Sequence, residues 1–314
     1  MRHGSPIRVG VPDLLSNSYF PALAAVELGF FAAEGLDADL RHVFPVSKTM
    51  EALRDDQLDL VAGSAHAPLT AFPDWHGAKL IAALSQKMYW LLVLRPDLGA
   101  KKGDVQAIKG LRIGAAPGPD VALRRLLIDA GIDPARDQVE IAPVPGGAGP
   151  GVSFGVQAAR CLETGVIDGF WANGMGSELA VRSGVGTVIL DVRRGLGPPA
   201  AQTYTFPALV TTEYKIEWDP EMVESAVRAI VKVQQALRAD PALATKVGQR
   251  LFPPAEAELI AQVVERDLPY YDAGISEEAV AGLNRFAREI GLLSGPVAYQ
   301  QVVATRFQDL WPKN

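Results

Sequence analysis

Short apolar runs alternate with helical patterns along this sequence, and the alternation runs through twice. IRVGV is followed by a helical stretch from about Tyr19 to Ala33, then LDADLRHVF, a helix around Thr49 to Arg54, and LDLVAG, with KLIAALS and YWLLVLR as two further strands. Such alternation is what a parallel sheet with crossover helices writes into a chain. After Arg95 a polar segment, PDLGAKKGDVQ, intervenes and the pattern restarts with LRIGAA, PDVALRRLLIDAG, VEIAPV, VSFGVQAARCLETG, VIDGFW and TVILDV. Two passages share one frame: Leu53 precedes Asp59 by the same step as Leu162 precedes Asp168, and a small polar residue, Ser64 or Asn173, ends the strand that follows. From about Tyr204 the pattern changes to one more strand, TYTFPALVTT, and then helices, whose apolar faces are Val223, Val227, Ile230, Val233 and Leu237, and Ala279, Leu283, Phe286 and Ile290. That helical tail needs a surface to pack on, and the first lobe is the economical one.

A chain of 314 residues is long enough for two lobes with a core each, and 48% hydrophobic with 21% charged residues is a globular composition. The net charge of -6, with Lys and Arg scattered, leaves no footprint for a polyanion, so nucleic acid is not an expected partner. Cys161 is the only cysteine, which excludes an internal disulfide and a cysteine-rich metal site. No window reaches the roughly 18 to 20 apolar residues that span a bilayer. The amino terminus, MRHGSPIRVGV, has no pattern of an export signal. The expectation is a soluble protein, native to the cytosol or supplied in processed form.

The segments YFPALAAVELGFFAAEGLDADL, EALRDDQLDLVAGS, IKGLRIGAAPG and ALVTTEYKIEWDPEMVESAVRAIVKVQQAL, taken in order, resemble the substrate-binding proteins of nitrate, taurine and sulfonate class ABC importers. Gly29-Phe30-Phe31, Glu34-Gly35-Leu36 and the Lys109-Gly110 entry to a strand are its most specific pieces. The resemblance implies an α/β, two-lobed periplasmic binding protein fold of the second type, in the superfamily of the thiamine pyrimidine synthases. Each lobe is then a mainly parallel sheet flanked by helices, with a ligand cleft between lobes. Lobe I would take residues 1–95 and 205–314 and lobe II residues 96–204, with crossings near 94 to 96 and 203 to 206. The same fold hosts a minority of cytosolic enzymes, among them the pyrimidine synthases, some decarboxylases and a biphenyl sulfinate desulfinase.

In open parallel sheets ligands collect beyond the carboxyl ends of the strands. Four such ends stand out: Ser16, Asn17, Ser18 and Tyr19; Ser64, Ala65 and His66; Pro117, Gly118, Pro119 and Asp120; and Trp171, Asn173 and Gly174. Each has a bland reading beside the functional one. Ser16, Asn17 and Ser18 suit helix capping, Ser64 can cap the helix that begins near Pro68, and a histidine such as His66 is more often a satisfied one than a catalytic one. Pro119 fits a first helical position and Gly118 a tight approach to it, while Asp120 in a first helical turn opposes an anion there. Trp171 can stack on a planar ligand or fill the core. Tyr89 and Trp90 border the cleft or pack the hinge, and Arg193 and Arg194 can reach a carboxylate, although solvent is the usual fate of such a pair.

The glycines of PVPGGAGPGVSFG lack the spacing of a dinucleotide or phosphate loop, which leaves a flexible loop. His3, His42, His66 and His76 show no metal-ligand spacing, and no G-x-S-x-G elbow occurs. Neither a metal nor a cofactor is expected. The desulfinase relatives carry a cysteine after Ser-Asn in the first loop, where this chain has Ser18, and the cysteine-rich motif of the pyrimidine synthases is missing. The expected function is capture of a small organic solute, planar or aromatic rather than an inorganic anion, by a monomer that presents it to a permease driven by an ATPase. A decarboxylase using His66 and an arginine is the enzymatic alternative.

Overall fold

Arg8-Val9-Gly10 and Arg112-Ile113-Gly114 open the leading strands of two sheets, and an aspartate fifty-odd residues further on grips each arginine in the same way. The computed structural model describes residues 6–149 and 151–313 and divides into two units, Met1–Gln86 with Thr205–Asn314, and Lys87–Tyr204. In the first unit the chain runs β1 (Ile7–Val11), α1 (Phe20–Glu27), α2 (Phe30–Ala33), β2 (Ala38–His42), α3 (Val46–Arg54), β3 (Leu60–Ser64) and β4 (Ala78–Ala83). The second unit holds β5 (Leu91–Leu94), β6 (Arg112–Ala115), α4 (Pro119–Asp129), β7 (Glu140–Ala142), α5 (Phe154–Glu163), β8 (Gly169–Ala172), α6 (Gly174–Arg182) and β9 (Thr187–Asp191). The chain then returns with β10 (Pro207–Thr212), α7 (Glu213–Trp218), α8 (Pro220–Ala239), α9 (Leu243–Leu251), α10 (Pro254–Asp267), α11 (Glu277–Glu289) and α12 (Tyr299–Val302).

The two sheets have one topology. Their orders are β2-β1-β3-β10-β4 and β7-β6-β8-β5-β9, and in each the fourth strand runs antiparallel to both neighbours while the first three are mutually parallel. The apolar run YWLLVLR, read from the sequence as a strand of the first lobe, is therefore β5 of the second sheet. An apolar run records burial but not which sheet supplies it, so the first crossing falls at 86–87 rather than near 94 to 96. The helix expected from Tyr19 to Ala33 is broken at Gly29, whose φ of 78° stops α1 before α2 begins. Gly35 takes the left-handed cap that its place predicts, with φ 81°. The C-terminal helices pack in the first unit, where α8 lies against α1, α2 and β4 with Val223, Val227, Ile230, Val233 and Leu237 buried.

The shared frame is a clamp. The Asp59 carboxylate accepts from the Arg8 main-chain N–H at 2.8 Å, from Nε at 2.8 Å and from a terminal guanidinium nitrogen at 3.0 Å. Asp168 accepts the same three bonds from Arg112, at 3.0, 2.9 and 3.0 Å. Beside each clamp a glycine admits an apolar side chain: a Cβ on Gly10 would lie 2.3 Å from Leu58, and one on Gly114 would lie 2.5 Å from Val144 and 3.1 Å from Ile167. Both clamps thus fix the leading strand to the third at equivalent registers, Val9 beside Leu60 and Ile113 beside Gly169.

Burial raises the Asp59 carboxyl, but the bonds from Arg8 and from Lys215, whose Nζ lies at 2.6 Å, outweigh it and hold the group at about 2. A carboxylate held below its unfolded value near 4 stabilises the fold above that value and loses the contribution as pH falls toward 2. Asp59→Asn should cost about 2 to 4 kcal/mol at pH 7, because Arg8 and Lys215 lose their buried counter-charge. Urea denaturation of the variant at falling pH should show the difference from wild type shrinking between about pH 4 and pH 2.

Candidate functional site

Strands β1, β3 and β4 of the first unit end on one edge of its sheet, and β10 begins there, with Pro207 opposite Ser64. After β1 the loop turns on Asp13, which accepts from the Leu15 N–H at 2.9 Å, and delivers Ser16, Asn17 and Ser18, all buried. The sequence signals helix capping here, but no side chain caps α1. Tyr19 is the capping residue, its own carbonyl receives the Ala22 N–H at 3.0 Å, and Pro21 removes a donor. The hydroxyls of Ser16 and Ser18 and the Oδ1 of Asn17 are buried with no partner among the described residues. The Asn17 amide donates to Asp267, and its main-chain carbonyl accepts from the Tyr271 hydroxyl.

Tyr19 and Ser64 meet through their hydroxyls at 3.4 Å. Ser64 does not cap the turn that follows, Ala67–Thr70, which has no side-chain cap. Ala65 is fully buried and its N–H donates to the Phe206 carbonyl at 2.8 Å, while His66 lies with Nδ1 3.0 Å from the Thr205 hydroxyl and its ring edge-on to Phe286 at 5.4 Å. Burial lowers the His66 ring to about 4, so at neutral pH it offers a hydrogen bond and no charge. Ser85, just beyond β4, adds another buried hydroxyl without a partner among the described residues. Sequence reasoning missed Ser85, Thr205, Asp267, Tyr271 and Phe286. The segment RDLPYYDAG at the end of α10 holds a signal for two of them, a helix terminus crowded with aromatic and acidic residues.

In the second unit, Gly118 adopts φ 100° ahead of Pro119, the first residue of α4. Asp120 turns back to accept from the Gly118 N–H at 3.0 Å and pairs with Arg124 at 3.5 Å, so its carboxylate satisfies its own loop. Trp171 lies in β8 between Leu92 of β5 and Ala115 of β6, fully buried, 6.2 Å from Trp90, which in turn sits 4.6 Å from Tyr89. Its indole Nε1 has no partner among the described residues. Asn173 caps α6 by accepting from the Met175 N–H at 3.2 Å, and Ser177 donates to its carbonyl at 3.1 Å. Arg193, expected in solvent, is buried and donates to the Lys87 carbonyl at 3.4 Å, whereas Arg194 pairs with Asp191 at 2.8 Å. Of the glycine-rich run, Pro150 lies outside the described residues, as does His3 at the amino terminus. Among the described residues no group of three His, Cys, Asp or Glu can hold a metal ion, and no helix is long and apolar enough to cross a membrane.

The NMT1/THI5-like family model matches residues 16–244. This chain belongs to the NMT1/THI5-like family. A search of the curated proteins returns no match. Among solved structures this family member is similar to the periplasmic aliphatic sulphonate binding protein SsuA from Escherichia coli, at 14% identity and TM-score 0.71, covering 96% of this chain and 92% of that one. It is similar to the periplasmic nitrate-binding protein NrtA from Synechocystis PCC 6803, at 14% identity and TM-score 0.70 over 98% and 87%. A cysteine-to-serine mutant of DszB in complex with biphenyl-2-sulfinic acid also matches, at 18% identity and TM-score 0.63 over 97% and 98%. The fold of this NMT1/THI5-like chain is that of the periplasmic binding proteins: two mixed sheets flanked by helices.

The neutral His66 has a measurable consequence. The unfolded chain takes up a proton near pH 6.5 that the folded chain refuses down to about 4, so His66 makes stability rise with pH across that window. In His66→Phe the loss of unfolding free energy from pH 6.5 to pH 4.5, measured in urea, should be smaller than in wild type by about 2 kcal/mol.

Proposed function

We propose that this protein is the solute-binding component of an ABC importer, capturing a small organic solute and presenting it to a permease driven by an ATPase. The observation that carries this reading is the row formed by the Ser16 and Ser18 hydroxyls and the Asn17 Oδ1, buried at the strand ends of the first sheet with no partner among the described residues. Each such group costs about 1 to 3 kcal/mol while unsatisfied. A bound solute that supplies the missing partners offsets that cost. Family membership and the likeness to proteins whose names record sulphonate and nitrate binding support the same reading. Tyr19, Ser64, Ala65 and His66 also belong to the proposed contact set of the first unit, and Pro117, Gly118, Asp120, Trp171 and Asn173 to that of the second. The indole of Trp171, beside Trp90, favours a planar or aromatic solute. The protein works as a monomer in the periplasm, with no catalytic residue and no cofactor, and differential affinity for the ligand-bound conformation is all its mechanism requires.

The likeness to DszB favours a second reading, an enzyme on the same fold. A thermal-shift screen of small carboxylates, sulfonates, amides and aromatic acids separates the two. A solute at 100 times its dissociation constant should add about 2.7 kcal/mol of stability and be recovered unchanged after hours with the protein. Consumption of the solute would establish the enzyme.

Ser16→Ala and Ser18→Ala remove buried hydroxyls that have no partner among the described residues. Each variant should be more stable than wild type without ligand, by roughly 1 kcal/mol. Each should bind the solute about tenfold more weakly by titration calorimetry, the loss of one hydrogen bond.

A further inference from the structure

Solute capture leaves the class of solute open, and the surroundings of Asn17 narrow it. Asp267 is the last residue of α10, where the free carbonyls of a helix end already concentrate negative charge, and its side chain is buried. The Asn17 amide donates to that carboxylate through Nδ2. Only the N–H side of the amide can face Asp267, because the reverse orientation would set Oδ1 against a carboxylate oxygen with no proton between them. Asp267 therefore fixes the amide. Tyr271 anchors the same residue by donating to its main-chain carbonyl.

The Oδ1 atom is left buried with no partner among the described residues, and an amide oxygen only accepts. The hydroxyls of Ser16 and Ser18 stand on either side of it in the chain, also buried and unpartnered among the described residues, and they donate or accept as required. Ser85, a further buried hydroxyl with no partner among the described residues, precedes Gln86, whose N–H donates to the Tyr270 carbonyl at 2.7 Å, next to the Tyr271 that holds Asn17. None of these residues is a cation. A nitrate or sulfonate oxygen placed against Asn17 Oδ1 would set lone pair against lone pair, with a carboxylate behind the amide. An N–H or O–H of the solute meets an acceptor that has no partner among the described residues.

We infer that Asp267 is a specificity-determining positioning residue which, by orienting Asn17, selects solutes presenting an N–H or O–H donor, such as amides, amines and ureas, over anions such as nitrate and sulfonates. The inference rests on the solute-binding reading, and it separates this chain from the sulphonate and nitrate binding recorded in the names of its structural neighbours.

Matched pairs isolate the donor: urea against nitrate, methanesulfonamide against methanesulfonate, and benzamide against benzoate. Titration calorimetry is carried out on the full chain, as wild type, Asp267→Asn and Asn17→Ser. In wild type the amide member of any pair that binds should be at least tenfold tighter. In Asp267→Asn the amide of Asn17 is free to turn, and the preference should collapse to within about threefold. Asn17→Ser places a hydroxyl that donates as well as accepts, so it should give the same collapse should Asp267→Asn fail to fold, which circular dichroism shows. Tighter binding of the anion by wild type overturns the inference, and so does a preference that survives in the folded variants. If neither member of any pair binds, it is solute binding itself that fails, and the inference falls with it.

Discussion

The bidentate grip of an aspartate on an arginine is the interaction from which the rest of each sheet is set out. Arg8 and Arg112 each lie at the start of the strand that has parallel neighbours on both sides, as its second and its first residue, and Asp59 and Asp168 each stand immediately before the third strand. Three hydrogen bonds at the entry of two strands fix their relative register. Side chains alternate between faces with a period of two, so a slip by one residue would turn the third strand inside out. Trp171 and the residues after Ser64 occupy their places because the start of their strand, not its end, is pinned. A glycine two residues beyond each arginine leaves room for Leu58 or Ile167 to pack beside the clamp.

At the far ends of these strands the chemistry is of a different kind. The entries are ionic, whereas the exits of the first sheet present hydroxyls, an amide and an imidazole that burial keeps uncharged. A buried carboxylate there, Asp267, arrives on a C-terminal helix and accepts from the amide of Asn17. Groups of this sort discriminate by donor and acceptor pattern, since a buried polar atom that meets the wrong partner costs as much as one that meets none. In the second unit the strand ends present an indole and its aromatic neighbours, and Asp120 is committed to its own loop.

What was legible in the sequence follows from how far each signal reaches along the chain. The alternation of apolar runs and helical patterns gave the α/β architecture, and the common step from Leu53 to Asp59 and from Leu162 to Asp168 marked a true structural repeat. Its meaning was hidden because the arginine partners lie far away in the chain, where no spacing rule reaches. The membership of β5 was illegible for a related reason, since four apolar residues fit either sheet equally. Ser-Asn-Ser before a helix is a sound capping signal, and it failed because Tyr19 and Pro21 left the side chains nothing to cap. Phe286 belongs to a helix whose apolar face announced packing, and Asp267 and Tyr271 lie at and just beyond the end of α10, so the ring contact with His66 and the polar contacts with the first loop required the fold.

The placement of β10 has a consequence for how the protein comes to exist. Strand β10 lies between β3 and β4, so β4 has no neighbour to pair with until residue 207 has been made, although β4 itself ends at Ala83. The second unit is continuous from Lys87 to Tyr204 and contains every strand of its own sheet. On a ribosome, where a chain emerges from its amino end, the unit encoded in the middle is complete first. The unit that carries both termini waits for the last third of the chain, with a gap in its sheet until then.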